Sequence, residues 1–258
     1  MSRIVIYDSG VGGLSIYKEV LQQCPDFDYV FVSDNEFFPY GTKSAQQLTQ
    51  RVVSVCNAIQ RNYSPDLMVV ACNTASTAVL PILRDKFDFP IVGVVPAIKP
   101  AAVQSVSKTI GLLATPATII RPYTNELIRQ HAANCELIKL GSSELVEMAE
   151  AKLRGKPIEI TRLKAILQPL LQKQCLDVVV LACTHFPLLR DELVQVLGDK
   201  VSLMDSGAAI ASRVKQLSSD LTPCLSHSAA VFTQKLTDQH FADRLRDFGF
   251  GEIETLSI

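Results

Sequence analysis

The chain reads as an α/β protein made of two similar parallel-sheet domains related by pseudo-symmetry, with a cleft between them. Three observations predict this. Short apolar runs alternate with stretches of helical spacing, the pattern of strands joined by crossover helices. Those runs are continuous in hydrophobicity, as in strands covered on both faces. One segment also recurs: Asp66-Leu-Met-Val-Val-Ala-Cys72-Asn-Thr74 is matched by Asp177-Val-Val-Val-Leu-Ala-Cys183-Thr-His185, 183 − 72 = 111 residues later.

Taken in order, residues 4–7 predict a strand and 12–24 a helix after a glycine-rich turn. A strand at 29–33 follows, then a helix at 44–62 whose apolar positions Leu48, Val52, Val55 and Ile59 share one face. Residues 67–71 predict a strand, 76–87 a helix and 91–95 a strand. The pattern restarts at 109–114, a strand followed by Thr115-Pro-Ala-Thr118 and a helix at 122–131. Strands at 136–140 and 178–182 come next, with helical stretches between them. The offset from Asp8 to Thr115, 115 − 8 = 107, is close to the 111 that separates the cysteines. One duplicated unit explains both, with a boundary near residues 96–100. Past residue 203, Asp205-Ser206-Gly207 opens a helix at 208–217. A last strand is expected at 229–232 and a last helix at 238–248. Returning this tail to the first unit divides the chain into 1–97 plus 208–258 on the Cys72 side and 98–207 on the Cys183 side.

Composition narrows the classes. With 258 residues, 48% of them hydrophobic and 20% charged, the chain can bury a large core as a globular protein. A net charge of −1 without a long basic run gives no reason to expect nucleic acid or a membrane surface as the main partner. The apolar stretch near the N-terminus is too short for a signal peptide, and no apolar run reaches 18 residues. The seven cysteines (24, 56, 72, 135, 175, 183 and 224) form no CxxC pair, so no metal site is expected. Free thiols imply a reducing compartment, hence a cytoplasmic location. The oligomeric state is left open, a homodimer being the one assembly considered.

The candidate chemistry lies at strand ends. Asp8-Ser-Gly-Val-Gly-Gly13 occupies a strand-to-helix junction, where helix N–H groups attract a carboxylate or phosphate. A dinucleotide fingerprint would need glycine at position 15, which is Ser15. The loop Ser33-Asp-Asn-Glu-Phe-Phe-Pro-Tyr-Gly41 follows a strand, and Tyr40 and Gly41 offer a hydroxyl and a backbone N–H. Cys72 and Cys183 carry the sharpest expectation. Most buried cysteines act as small hydrophobes, a reading that suits Cys24, Cys56, Cys135, Cys175 and Cys224. This pair instead recurs in the duplicated frame, each member followed by hydrogen-bonding residues: Asn73-Thr74 and Thr184-His185. Two equivalent thiols across a pocket suit a reaction needing an acid and a base on opposite faces of one carbon. His185 is well placed to support a thiolate. His131, His227 and His240 lack such a setting.

Together, Asp8-Ser-Gly-Val-Gly-Gly13, Pro39-Tyr-Gly41, Ala71-Cys-Asn-Thr-Ala75, Cys183-Thr-His-Phe-Pro-Leu-Leu189 and Asp205-Ser-Gly207 resemble the bacterial glutamate racemases. These are a branch of the aspartate/glutamate racemase superfamily, and the motifs extend from residue 8 to 207. The resemblance implies a cofactor-independent isomerase that interconverts L- and D-glutamate by a two-base mechanism and supplies D-glutamate for peptidoglycan. It implies that Cys72 acts on D-glutamate and Cys183 on L-glutamate, with Asp8 and His185 assisting the nearer thiol. Ser9, Tyr40, Gly41, Asn73, Thr74 and Thr184, with Asp8 and His185, match substrate-contacting positions, and Glu150 falls where the family has a supporting acid. The chain departs from the family pattern at Ser142-Ser143, often Cys-Pro, and at Ala114-Thr115, often Gly-Thr.

Three other readings stay open at this point: an aspartate racemase using the same thiols, an amino-acid binding protein without catalysis, and a redox switch joining Cys72 to Cys183.

Overall fold

The computed structural model describes residues 2–224 and 227–258. Its first sheet contains β1 (Arg3–Asp8), β2 (Asp28–Ser33), β3 (Leu67–Val70) and β4 (Ile91–Gly93). Two strands from the end of the chain join it: β9 (Ser228–Phe232) and β10 (Glu252–Thr255). The second sheet contains β5 (Thr109–Ala114), β6 (Glu136–Gly141), β7 (Val178–Ala182) and β8 (Ser202–Met204). All pairings are parallel. The strand orders are β10-β9-β2-β1-β3-β4 and β6-β5-β7-β8. The run β2-β1-β3-β4 is therefore repeated as β6-β5-β7-β8, and the two cysteine-bearing strands, β3 and β7, hold equivalent places.

Helices cover both sheets. Around the first lie α1 (Leu14–Gln23), α2 (Ala45–Tyr63) and α3 (Asn73–Lys86). Around the second lie α4 (Ile98–Gln104), α5 (Pro116–Ile120), α6 (Pro122–His131), α7 (Glu144–Leu153), α8 (Ile160–Ile166), α9 (Gln168–Leu171) and α10 (Arg190–Leu197). The chain then returns through α11 (Gly207–Leu217), which packs on α1, and α12 (Gln239–Asp247).

Side-chain alternation along each strand splits the core into layers. Ile4, Ile6, Leu67 and Val69 face one side of the first sheet with Tyr17, Phe31 and Phe250. Val5, Tyr7, Met68 and Val70 face the other, against Leu48, Val52 and Val55 of α2. In the second sheet, Leu113, Val179 and Leu181 belong to one layer, and Leu112, Val178 and Val180 to the other. That double burial is why these strands read as continuous apolar runs. Ser44 begins α2 with a reciprocal cap: its Oγ accepts from the Gln47 N–H at 3.2 Å, and the Gln47 side chain accepts from the Ser44 N–H at 3.2 Å.

Several elements differ from the sequence reading. α3 begins at Asn73, not residue 76, so Cys72 is itself the helix N-cap. β8 and β10 were not anticipated, and 229–232 is therefore not the last strand. The sequence of β10, Glu-Ile-Glu-Thr, lacks an apolar run because it is an edge strand in which only Ile253 is partly buried. The expected boundary at 96–100 contains the start of α4.

Candidate active site

Strand-end loops of both sheets converge on one cavity. From the first sheet, Ser9, Tyr40, Gly41, Cys72, Asn73 and Thr74 line it; from the second, Cys183, Thr184 and His185. The sequence reading expected all of these. It missed Phe38, Pro39, Thr115, Ser143 and Val146, which complete the wall. Asp8 and Glu150 do not line the cavity but stand behind it. The space is narrow, about 20 Å³, enough for a water molecule and too small for an amino acid. Broader depressions exist elsewhere, but this one joins both thiols. All seven cysteines are unbridged. Among the described residues no three His, Cys, Asp or Glu side chains gather into a metal-ligand set.

Cys72 is 6% exposed, at the junction where β3 passes directly into α3, and its thiol donates to Ser9 Oγ at 3.6 Å. Asn73 and Thr74 open the helix, so their backbone N–H groups point toward the cavity end of the helix dipole. The Asn73 side-chain amide is buried, and its Nδ2 has no acceptor among the described residues. Thr74 Oγ1 pairs with Thr115 Oγ1 at 3.0 Å and Thr118 Oγ1 at 3.2 Å, tying the start of α3 to the start of α5. Behind Cys72, Asp8 is fully buried. Its Oδ2 accepts the Gly13 N–H at 2.7 Å, and its Oδ1 has no partner among the described residues.

The second thiol has a different support. Cys183 Sγ lies 3.8 Å from His185 Nδ1, and His185 Nε2 lies 2.9 Å from Glu150 Oε1. That carboxylate oxygen also accepts the Val11 N–H at 3.0 Å, while Oε2 takes Arg154 Nη1 at 2.5 Å. The glycines of the Asp8–Gly13 loop make this approach feasible. A Cβ at Gly10 would sit 2.6 Å from Glu150 Oε1, and one at Gly12 would collide with the His185 ring. The motif therefore serves close approach of the two halves, with no phosphate cradle needed.

Tyr40 corrects a detail of the sequence reading. Its hydroxyl is not offered to the cavity; it donates to Asp34 Oδ2 at 2.6 Å and pairs with the Tyr7 hydroxyl. Asp34 is fully buried and also held by the Arg51 fork, at 2.6 Å to Nη2, and by Thr233 Oγ1 at 2.8 Å. This network anchors the turn that presents Pro39 and Gly41. Asp34 lies in the loop singled out from sequence, but its neighbour Thr233 is 199 residues away and leaves no local signal.

The sequence profile described as Asp/Glu/Hydantoin racemase matches residues 9–214. The chain belongs to this racemase family. It is 49% identical to the glutamate racemase of Pectobacterium atrosepticum, over 99% of this chain and 91% of that one. Its fold matches a crystal structure of Escherichia coli glutamate racemase in complex with L-glutamate and the activator UDP-MurNAc-ala. The TM-score is 0.95, at 46% identity over 99% of this chain and 98% of that one. A glutamate racemase isoform of Bacillus anthracis matches at a TM-score of 0.83 and 26% identity, covering 100% and 97%.

A racemase is an isomerase that must break and remake one bond at a stereocentre, so the charge states around its acid–base groups matter. Burial pushes the Cys72 thiol up, and the Asp8 charge adds to this; the Ala75 N–H and Ser9 oppose it. Burial likewise raises Asp8, against the His185 charge and the Gly13 N–H. For His185, burial alone would favour the neutral ring, but Cys183 and Glu150 outweigh it and hold the imidazole well above its ordinary value. Burial would also neutralise Glu150, yet His185, Arg154 and the Val11 N–H bring it down to about 2. An imidazolium–carboxylate pair therefore backs Cys183, and an electron-rich carboxylate backs Cys72.

Proposed function

We propose that this enzyme is a glutamate racemase interconverting L- and D-glutamate by two-base proton transfer between Cys72 and Cys183, without a cofactor. The observation that carries the reading is the pair of unbridged thiols brought from equivalent strand ends onto one narrow cavity. The relatives at 46–49% identity named glutamate racemase support the choice of substrate.

In this mechanism Cys183, as thiolate, removes the α-proton of L-glutamate. The electron pair stays on the α-carbon as a carbanionic intermediate, and the Cys72 thiol delivers its proton to the opposite face. The reverse sequence converts D-glutamate. Each turnover leaves the proton on the other sulfur. A buried thiol pushed up by Asp8 is a strong base once ionised, which an α-proton of very low acidity requires. The unpaired Nδ2 of Asn73, a residue of the cavity wall, suits a substrate carboxylate. Preorganised donors in a water-poor cavity supply the remaining stabilisation. Because the cavity is smaller than the substrate, the two units, 1–97 plus 208–258 and 98–207, part to admit it. The product is D-glutamate for peptidoglycan, made in the cytoplasm.

The test is the circular dichroism of L-glutamate incubated with pyridoxal-free protein under reducing conditions. Decay of the signal to zero is expected. A flat signal from protein with an intact thermal transition, alongside decay with L-aspartate, would reassign the substrate.

A further inference from the structure

Arg154 follows the last turn of α7 with its side chain about one-third exposed. An arginine four residues after a glutamate ordinarily forms a solvated helix pair that contributes little. The surroundings of Arg154 are not those of a solvated pair. Nη1 donates to Glu150 Oε2 at 2.5 Å and to the Glu150 carbonyl at 3.0 Å. The guanidinium lies over the Phe241 ring, 4.6 Å from its centroid, and Nε is 3.9 Å from Asp238 Oδ2. Asp238 is itself fixed, because it caps α12 by accepting the Phe241 N–H at 3.0 Å. Phe241 is buried in the core of the first sheet. The arginine thus spans from the acid behind Cys183 to a helix of the other sheet. Glu150 then has every contact specified: Oε1 on His185 and Val11, Oε2 on Arg154. Among the described residues nothing comparable backs Cys72, since Asp8 has a backbone N–H on one oxygen and no partner on the other.

We propose that Arg154 is a positioning residue for the Cys183 half of the reaction: seated on Asp238 and Phe241 of α12, it holds Glu150 Oε2 so that Oε1 stays on His185. The inference rests on the two-thiol reading above. Its consequence concerns which proton transfer limits the rate. Two transition states stand in series, one between Cys72 and the α-carbon, the other between Cys183 and the α-carbon. Loosening Glu150 raises the second. Because mirror-image substrates have an equilibrium constant of one, kcat/KM falls equally for both enantiomers, so rates alone do not reveal which thiol is impaired. Primary deuterium isotope effects do. The enantiomer deprotonated by Cys183 shows a larger effect, and the enantiomer deprotonated by Cys72 a smaller one.

The experiment measures kcat/KM and isotope effects with L- and D-glutamate deuterated at the α-carbon, in wild type and Arg154→Met. The expected result is a fall of about tenfold in kcat/KM, the scale of one charge-assisted hydrogen bond. The two isotope effects are expected to move in opposite senses, and Arg154→Lys to restore part of both. Asp238→Asn, which keeps the helix cap, shows the same opposed shift at smaller size, and it decides the matter if Arg154→Met does not fold. Cys183→Ser and Cys72→Ser are run alongside. The Arg154 shift must match the sense of Cys183→Ser and oppose that of Cys72→Ser. Isotope effects unmoved, or moved together, while the two cysteine variants still diverge, overturn the role of Arg154. If the cysteine variants themselves do not diverge, the two-thiol reading fails.

Discussion

Cys72 and Cys183 end equivalent strands of a repeated sheet, yet their surroundings carry opposite charge. Cys72 stands at the start of a helix with a buried carboxylate behind it, and that carboxylate is left with an unpaired oxygen. Cys183 is followed by a 3₁₀ turn (Phe186–Leu189), and a fully partnered His185–Glu150–Arg154 chain stands behind it. The difference teaches that the repeated frame places the sulfurs, while unrelated side chains set how readily each takes or releases a proton. It also separates stability from activity. The chain behind Cys183 is a satisfied ion pair, whereas the group behind Cys72 is a charge held at a cost.

The strongest way to break the comparison is to remove the sulfurs. Cys72→Ala and Cys183→Ala should each lower racemisation by about 10³-fold or more, within the range of positioned acid–base groups, with little change in melting temperature. Polarimetry on each enantiomer checks this, and retention of activity within tenfold by either variant would end the equivalence of the two thiols.

Next in size is Glu150→Gln. It leaves the His185 ring buried without its counter-charge, and should cost about 100-fold in kcat and about 2 kcal/mol of stability by urea denaturation. Asp8→Asn should lower kcat by about tenfold or more, yet leave stability unchanged or raised, because burial disfavours the Asp8 carboxylate. Equal losses of stability in the two variants would contradict the contrast between the ends.

The same contrast has a pH signature. The Glu150 carboxyl, ordinarily at 4.5, is brought to about 2 on folding, so its contribution is present above 4.5 and is lost as pH falls toward 2. His185 is raised above 6.5, so its contribution is full below 6.5 and fades as pH rises through its folded value. The pair therefore supports the fold most between 4.5 and 6.5. Urea midpoints across pH should show an acid limb that is smaller in Glu150→Gln and intact in Asp8→Asn.

The smallest expected effect is Thr115→Val. It removes one corner of the Thr74–Thr115–Thr118 triangle, which pins the opening turn of α3 near Cys72. A rise of about fivefold in KM with kcat held, the scale of one neutral hydrogen bond, is the outcome to look for by steady-state kinetics.

Much of this was legible in the chain. The doubly buried strands read as apolar runs, and the 111-residue recurrence marked both thiols. The residues after each thiol also announced the cavity wall, because a parallel strand ends where its loop begins. Asp34, Thr115 and Arg154 were passed over for a different reason. Each acts through a partner distant in sequence or on another element: Thr233 for Asp34, Thr74 for Thr115, Asp238 and Phe241 for Arg154. The glycines at 10 and 12 were read as turn formers, whereas their place is set by Glu150 and His185 pressing from the opposite half. The edge strand β10 escaped because a mostly exposed strand needs no apolar run.

By itself the sequence determined the α/β class, the duplicated frame and the two thiols at its strand ends, since hydrophobic periodicity and strand termini are local properties. The tertiary structure alone decided how each supporting group is itself held: Glu150 on His185, Arg154 on Glu150, and one Asp8 oxygen left without a partner among the described residues. Burial and electrostatics depend on what the rest of the chain brings to within a few ångströms, and here Val11, Asp238 and Phe241 reach the Glu150–Arg154 pair from elements of the first sheet.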